Sequence, residues 1–167
     1  VIESKIRGVE VREARNGRGL FATRRFRRGA LILPVTGRIY HHSVLWNRGG
    51  TFADNCYRYG PETYLDPGDS VARFVNHSCT PNAGVGKDRH RLFLFARAGI
   101  APGDEIVFDY ATTLGDDDIW TMRCNCGTSA CRGRVKRFGA LPADVRAEYL
   151  DEGLVPRFIR ATLRRPR

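Results

Sequence analysis

The sequence predicts a mostly β domain, and three observations carry that expectation. Apolar and β-branched residues recur in short runs. Turn signals built on Gly, Pro, Asn and Asp separate those runs at close spacing. Helical character is concentrated after residue 141.

Val9-Glu10-Val11-Arg12 alternates apolar and charged residues, the pattern of a strand with one buried face. Asn16-Gly17-Arg18-Gly19 reads as a tight turn, after which Leu20-Phe21-Ala22 resumes a strand. Residues 24–28 form a basic turn closed by Gly29, and residues 30–35 a further strand. Residues 43–50 read as a short helical or loop segment. Residues 55–59 and 64–66 read as strands broken by Gly60-Pro61. The clearest strand is 91–96, and a turn at Ala101-Pro102-Gly103-Asp104 leads into another at 105–110. Near the end, Pro142 opens a helix over 141–150, Gly153 stops it, and residues 158–165 form a second, basic helix.

The chain has 167 residues, enough for one compact domain with a real core. Its longest apolar runs, such as 92–96, are far too short to span a bilayer, so no membrane role is expected. Residues 1–20 lack the apolar run of a secretory leader, so an intracellular location is expected. For a bacterial source that means the cytoplasm, with the nucleus or secretion into a host as alternatives. The formal net charge of +10 is uneven: residues 1–31 carry +6, residues 32–131 carry −2 and residues 132–167 carry +6. Basic ends of this kind read as solvated faces, or as a means of docking to nucleic acid or an acidic partner.

Asn76-His77-Ser78-Cys79 is the most polar stretch beside an apolar run, and a core strand would not tolerate that density of unpaired groups. It therefore reads as a site. Of the five cysteines, Cys124, Cys126 and Cys131 follow the spacing C-x-C-x4-C, a poor disulfide framework. Three thiolates from one loop suit zinc, and Cys79 is the best candidate for the fourth ligand, with His77 as its competitor. Four thiolates leave no open position for water, so the ion reads as structural. Cys56 is outside the set.

With these residues in hand, the chain resembles the SET-domain protein-lysine methyltransferases that carry a post-SET zinc loop. The motifs occur in the family's order: Asn16-Gly17-Arg18-Gly19-Leu20-Phe21-Ala22, Cys56-Tyr57, Arg73-Phe74-Val75-Asn76-His77-Ser78-Cys79-Thr80-Pro81-Asn82, Gly103-Asp104-Glu105-Ile106-Val107-Phe108-Asp109-Tyr110, and the cysteine loop. Its compact, arginine-rich form looks more like the bacterial members than a large chromatin enzyme. The resemblance implies a SET β-clip with a knot-like crossing, a post-SET zinc loop and short C-terminal helices. The units expected are a SET domain at 1–118, a zinc loop at 119–138 and a helical tail at 139–167.

The resemblance further implies S-adenosyl-L-methionine as cofactor and a lysine amine in a basic protein, such as a histone, as acceptor. Asn16, Gly17, Arg18, Gly19, Asn76 and His77 would surround the cofactor, Gly17 and Gly19 by letting backbone approach it. Tyr57, Arg73 and Phe74 would complete the wall, and Asn125 would cover the adenine. Tyr110 would be catalytic. Phe108 would share the substrate channel and favour di- or trimethylation. A monomer is expected. Asp116-Asp117-Asp118 reads as a solvated loop or an attractor for a basic peptide, and His41-His42 as a surface pair. A module of another class, a SET-like zinc domain without turnover that binds nucleic acid or protein, is the alternative.

Overall fold

The structure is a computed structural model that describes residues 8–44 and 54–163. The order is β1 (Val9–Ala14), β2 (Gly17–Ala22), β3 (Leu31–Val35), β4 (Arg38–His41), β5 (Tyr57–Arg58), β6 (Thr63–Asp66), β7 (Asn76–His77), β8 (Ala83–Lys87), β9 (Leu92–Ala96), β10 (Val107–Phe108), β11 (Met122–Arg123), β12 (Arg134–Val135), α1 (Ala143–Asp151) and α2 (Arg157–Arg160). Short 3-10 turns occupy Val71–Phe74, Tyr110–Thr113 and Phe138–Ala140. The predicted mostly β class is what is found. None of the described helices is long and apolar enough to cross a membrane.

Small sheets share the work. β1 and β2 form a hairpin, β3-β9-β8 and β4-β6-β5 are three-stranded, β7 and β10 pair in parallel, and β11 pairs with β12. β9 is central: Leu92, Leu94 and Ala96 face the main core, while Phe95 packs against the tail. Opposite it, Gly84 and Gly86 of β8 leave room for rings, because a Cβ on either would stand 2.8 Å or less from Phe95 or Phe93 respectively. These two glycines hid β8 from the sequence reading, since glycine weakens a strand in isolation.

Other elements shift from expectation. The turn between the first strands falls at Arg15-Asn16, so Gly17 and Gly19 lie within β2. The strand expected over 105–110 is regular only at β10. On one side the Ile106 N–H is drawn to Leu20 O (2.7 Å), and on the other Asp109 caps a 3-10 turn. The helical or loop segment expected at 43–50 lies mostly outside the described residues. Of the basic second helix expected over 158–165, α2 runs only to Arg160, residues 161–163 are turn and bend, and 164–165 lie outside the described residues. Of the basic ends at 1–31 and 132–167, residues 1–7 and 164–167 are also outside.

The tail is not an appendage. Phe138, Leu141, Tyr149, Leu154, Val155 and Ile159 form a buried cluster with Ala111. Each such side chain contributes about 1.5–3 kcal/mol of transfer free energy. Gly153 ends α1 at φ +69°, a conformation other residues avoid, and lets the Leu154 N–H return to Tyr149 O (2.9 Å).

Candidate active site

The parallel pairing of β7 with β10 sets Asn76 beside Val107 and His77 beside Phe108, so the two most informative motifs meet. Asn82 fixes the junction: its Nδ2 donates to Glu105 O (2.8 Å) and its Oδ1 accepts from the Val107 N–H (3.0 Å).

Two cavities adjoin this junction. One, about 430 Å³, is lined by Asn16, Asp54, Asn76, His77, Tyr110, Trp120, Thr121, Met122, Arg123 and Asn125. The other, about 420 Å³ and more apolar, includes Cys56, Tyr57, Arg73, Val75, Phe108, Leu114, Ile119 and Tyr64 on its wall. Asp54, Tyr110, Trp120 and Thr121 line both.

In the polar cavity, Asn76 Nδ2 donates to Arg18 O (3.1 Å) and to Glu105 Oε1 (2.7 Å), which leaves its Oδ1 as an acceptor for a ligand. Glu105 went unnoticed in the sequence because it reads as one polar position of a strand. It also explains Gly19, where a Cβ would stand 2.3 Å from Glu105 Oε1. Gly19 therefore makes room for the carboxylate that holds Asn76. Gly19→Ala is expected to push Glu105 off Asn76 at a cost of about 1–3 kcal/mol, readable as a lowered Tm and weaker cofactor binding in calorimetry. Arg18 lays its guanidinium over the Phe74 ring (4.2 Å), so Phe74 holds Arg18 and lines neither cavity. Across the cavity, Asn125 Nδ2 donates to Asn16 Oδ1 (3.0 Å), and Asn16 Nδ2 donates to Asn125 O (3.2 Å). This amide pair latches the cysteine loop onto the β1–β2 turn.

Tyr57 and Arg73, expected beside the cofactor, line the apolar cavity. The Tyr57 and Tyr110 hydroxyls donate to Ala72 O (2.6 Å) and Val75 O (2.7 Å), backbone carbonyls at the 3-10 turn before β7. Phe108 lies between the two rings, 5.7 Å from Tyr57 and 4.7 Å from Tyr110. Trp120, which the sequence reading passed over, stands 6.2 Å from Tyr110 and donates its indole N–H to Asp54 (2.9 Å). Burial, reinforced by Glu105, raises the Tyr110 pKa and keeps its phenol protonated. His77 is pulled down to about 4 by burial, opposed by Asp109 and aided by Arg132, so its ring is neutral. Its Nδ1 accepts from the Tyr110 N–H (3.2 Å), which puts the ring proton on Nε2, 3.4 Å from Cys79 Sγ.

The four predicted thiols do converge. The Sγ atoms of Cys79, Cys124, Cys126 and Cys131 lie within 4.8 Å of one another, close enough to hold one zinc ion. Donor chemistry agrees. Burial raises Cys79 and Cys124, while at Cys126 the Thr128 hydroxyl and backbone donors outweigh burial and bring the thiol down to about 6. Such a set ionises together only around a cation. Cys56 stands apart, pushed up to about 12 by burial and by Asp66 and Asp54. His77 is a neighbour of the thiol cluster rather than a member.

The acidic triplet is only partly solvated: Asp117 is exposed, while Asp118 is largely enclosed. Arg58 of β5, with its side chain 2% exposed, binds Asp117 (2.6 and 2.8 Å) and Asp118 (2.6 Å). Tyr64 also donates to Asp118. Asp117 and Asp118 are thus paired within the chain, and Asp118 lies at the wall of the apolar cavity. Arg58→Met strands Asp118 without its counterion and is expected to cost about 3–5 kcal/mol. Thermal unfolding should show a Tm lower by about 10 °C.

The SET domain family model matches residues 17–111, and the chain belongs to that family. It is 33% identical over 135 residues to histone-lysine N-methyltransferase 2B of Homo sapiens, covering 72% of this chain and 5% of that protein. It is 36% identical over 122 residues to histone-lysine N-methyltransferase ash1 of Drosophila melanogaster, covering 68% of this chain and 5% of that protein. Among solved structures it is similar to that of KRYPTONITE in complex with mCHG DNA and SAH, with a TM-score of 0.59 and 27% identity, covering 77% of this chain and 29% of that one. The chain therefore spans only a small part of each of these proteins.

Proposed function

We propose that the chain is an S-adenosyl-L-methionine-dependent protein-lysine N-methyltransferase. The observation that carries this reading is Tyr110 on the common wall of two cavities, one polar and one apolar. The SAH-bound structure of a SET-domain neighbour supports the cofactor, since SAH is what remains of that donor after methyl transfer. The names of the relatives support a lysine acceptor, in a histone or another basic protein.

In this reading the polar cavity holds the cofactor. Asn76 Oδ1 receives the ammonium of its amino-acid part, and the Asn16–Asn125 pair closes over it. The bound cofactor supplies an activated methyl on a sulfonium. What remains for the protein is alignment and exclusion of water, which together lower a barrier by many kcal/mol. The target lysine enters the apolar cavity between Tyr57, Phe108 and Trp120. Tyr110, fixed by Val75 O, offers its phenol oxygen where amine and methyl meet. The amine must lose a proton from a free pKa of about 10.4, and apolar walls favour the neutral form. Among the described lining residues, Cys56 and the tyrosines stay protonated, Asp118 is bound to Arg58 and Asp54 accepts from the Trp120 indole. In this reading water is the proton acceptor. Cys79, Cys124, Cys126 and Cys131 would hold one structural zinc, which cross-links the loop bearing Asn125 to the segment bearing Asn76.

A methylation screen tests this. Wild-type protein with methyl-labelled cofactor, mixed histones, basic peptides and cell lysate should place label on lysine. Calorimetry should show cofactor binding, weakened about 10-fold or more by Asn76→Ala. No cofactor binding by the wild type would sink the proposal.

A further inference from the structure

We infer that helix α1 is a working part of this site: its Tyr149, together with Arg132, is a positioning residue that holds Asp109 and, through it, the backbone of Tyr110. The inference rests on the catalytic reading of Tyr110 above.

Asp109 precedes Tyr110 and is 1% exposed. A buried carboxylate must be matched by donors or it is strongly unfavourable. Here the donors come from three separate parts of the chain. The Ala111 N–H donates to Oδ1 (3.1 Å), which caps the 3-10 turn that Tyr110 begins. Arg132, directly after the last cysteine, donates its guanidinium to Oδ2. Tyr149 of α1 donates its hydroxyl to the same oxygen (3.1 Å). His77 Nδ1 stands 3.6 Å from Oδ1 but carries no proton and is not one of the donors.

Each donor is anchored. The Arg132 backbone N–H donates to Cys79 Sγ (3.4 Å), so the residue that grips Asp109 is tied to the thiol cluster. Tyr149 is buried in the tail cluster, and Arg97, just after β9, clamps α1 by binding Glu148 and Glu152 and covering the Tyr149 ring (5.2 Å). The carboxylate thus fixes where the turn starts. The turn fixes the Tyr110 N–H on His77 and the phenol on Val75 O. A displacement of the order of 1 Å at a reacting group costs about 10²-fold in rate. Helix α1 lies outside the 17–111 family segment.

Tyr149→Phe is the test, because it keeps the ring in its packing and removes only the hydroxyl. The expected result is a kcat lower by about 10-fold, with KM for cofactor and peptide unchanged within about twofold. Arg132→Lys, which keeps the charge, should retain more activity than Arg132→Met. A second readout needs no turnover: amide exchange at Tyr110 and Ala111 should quicken by about 10-fold in Tyr149→Phe. Exchange in β8 and β9 should stay as in the wild type. If exchange changes in this local way while the wild type transfers no methyl, positioning stands and the proposed function fails. Unchanged kcat with unchanged Tyr110 exchange, or exchange quickened equally across β9, would overturn the inference.

Discussion

Stripping the metal, or replacing its ligand by Cys124→Ser, should melt the cysteine loop and abolish tight cofactor binding while leaving the main sheets folded. The loop has little else to hold it. Between Cys124 and Cys131 lie Asn125, Gly127, Thr128, Ser129 and Ala130, none of them buried. Thiols of Cys124 stand 3.6 Å from those of Cys79 and Cys131, a spacing that serves ligation. Structural zinc contributes about 10–16 kcal/mol in small domains; here that energy orders the loop, while the main sheets rest on their own apolar core. The consequence reaches the cofactor through the Asn125–Asn16 latch and reaches Asp109 through Arg132. Metal analysis should give about one zinc per chain, lowered by Cys79→Ser and unaffected by Cys56→Ser. Calorimetry on the chelated protein should show cofactor affinity reduced by about 10²-fold, the loss of several hydrogen bonds at once. Retained amide protection in residues 124–131 after chelation would contradict the account.

Tyr110→Phe is the second large effect. The substitution keeps the aromatic wall against Phe108, His77 and Trp120. It removes the oxygen placed 2.7 Å from Val75 O at the meeting of the cavities. Turnover should fall by about 10²-fold or more, the scale of losing one preorganised polar group at a reaction centre. Cofactor affinity should change little, because Asn76, Asn16 and Asn125 are untouched. A variant that loses cofactor binding and turnover in step would instead assign Tyr110 to binding.

The site was more legible than the fold around it. Asn76, His77 and Cys79 stood out because polar density beside an apolar run has no structural use without partners. The cysteine spacing announced a cluster, and Cys79 completed it across about 45 residues of sequence. What could not be read were long-range reasons. Gly19 looks like a residue that spares space for a ligand, and the structure shows it sparing space for Glu105. Asp117 and Asp118 look like free charge until Arg58, some 60 residues earlier, is seen buried against them. β8 is poor in strand formers and exists because Phe93 and Phe95 of its partner cover its glycines. Tyr149 reads as one apolar position of a tail helix, and only the fold turns its hydroxyl to Asp109. In each case the local pattern is silent because the deciding partner is far away in the chain.

The most direct measurement of the central claim is the fate of the methyl group in a single turnover. Protein saturated with labelled cofactor is mixed with an accepted protein substrate, and the product is sequenced by mass spectrometry. The account predicts label on a lysine side-chain nitrogen, formed on the order of 10²-fold more slowly by Tyr110→Phe. Equal rates for wild type and variant, or label on any other side chain, would contradict it.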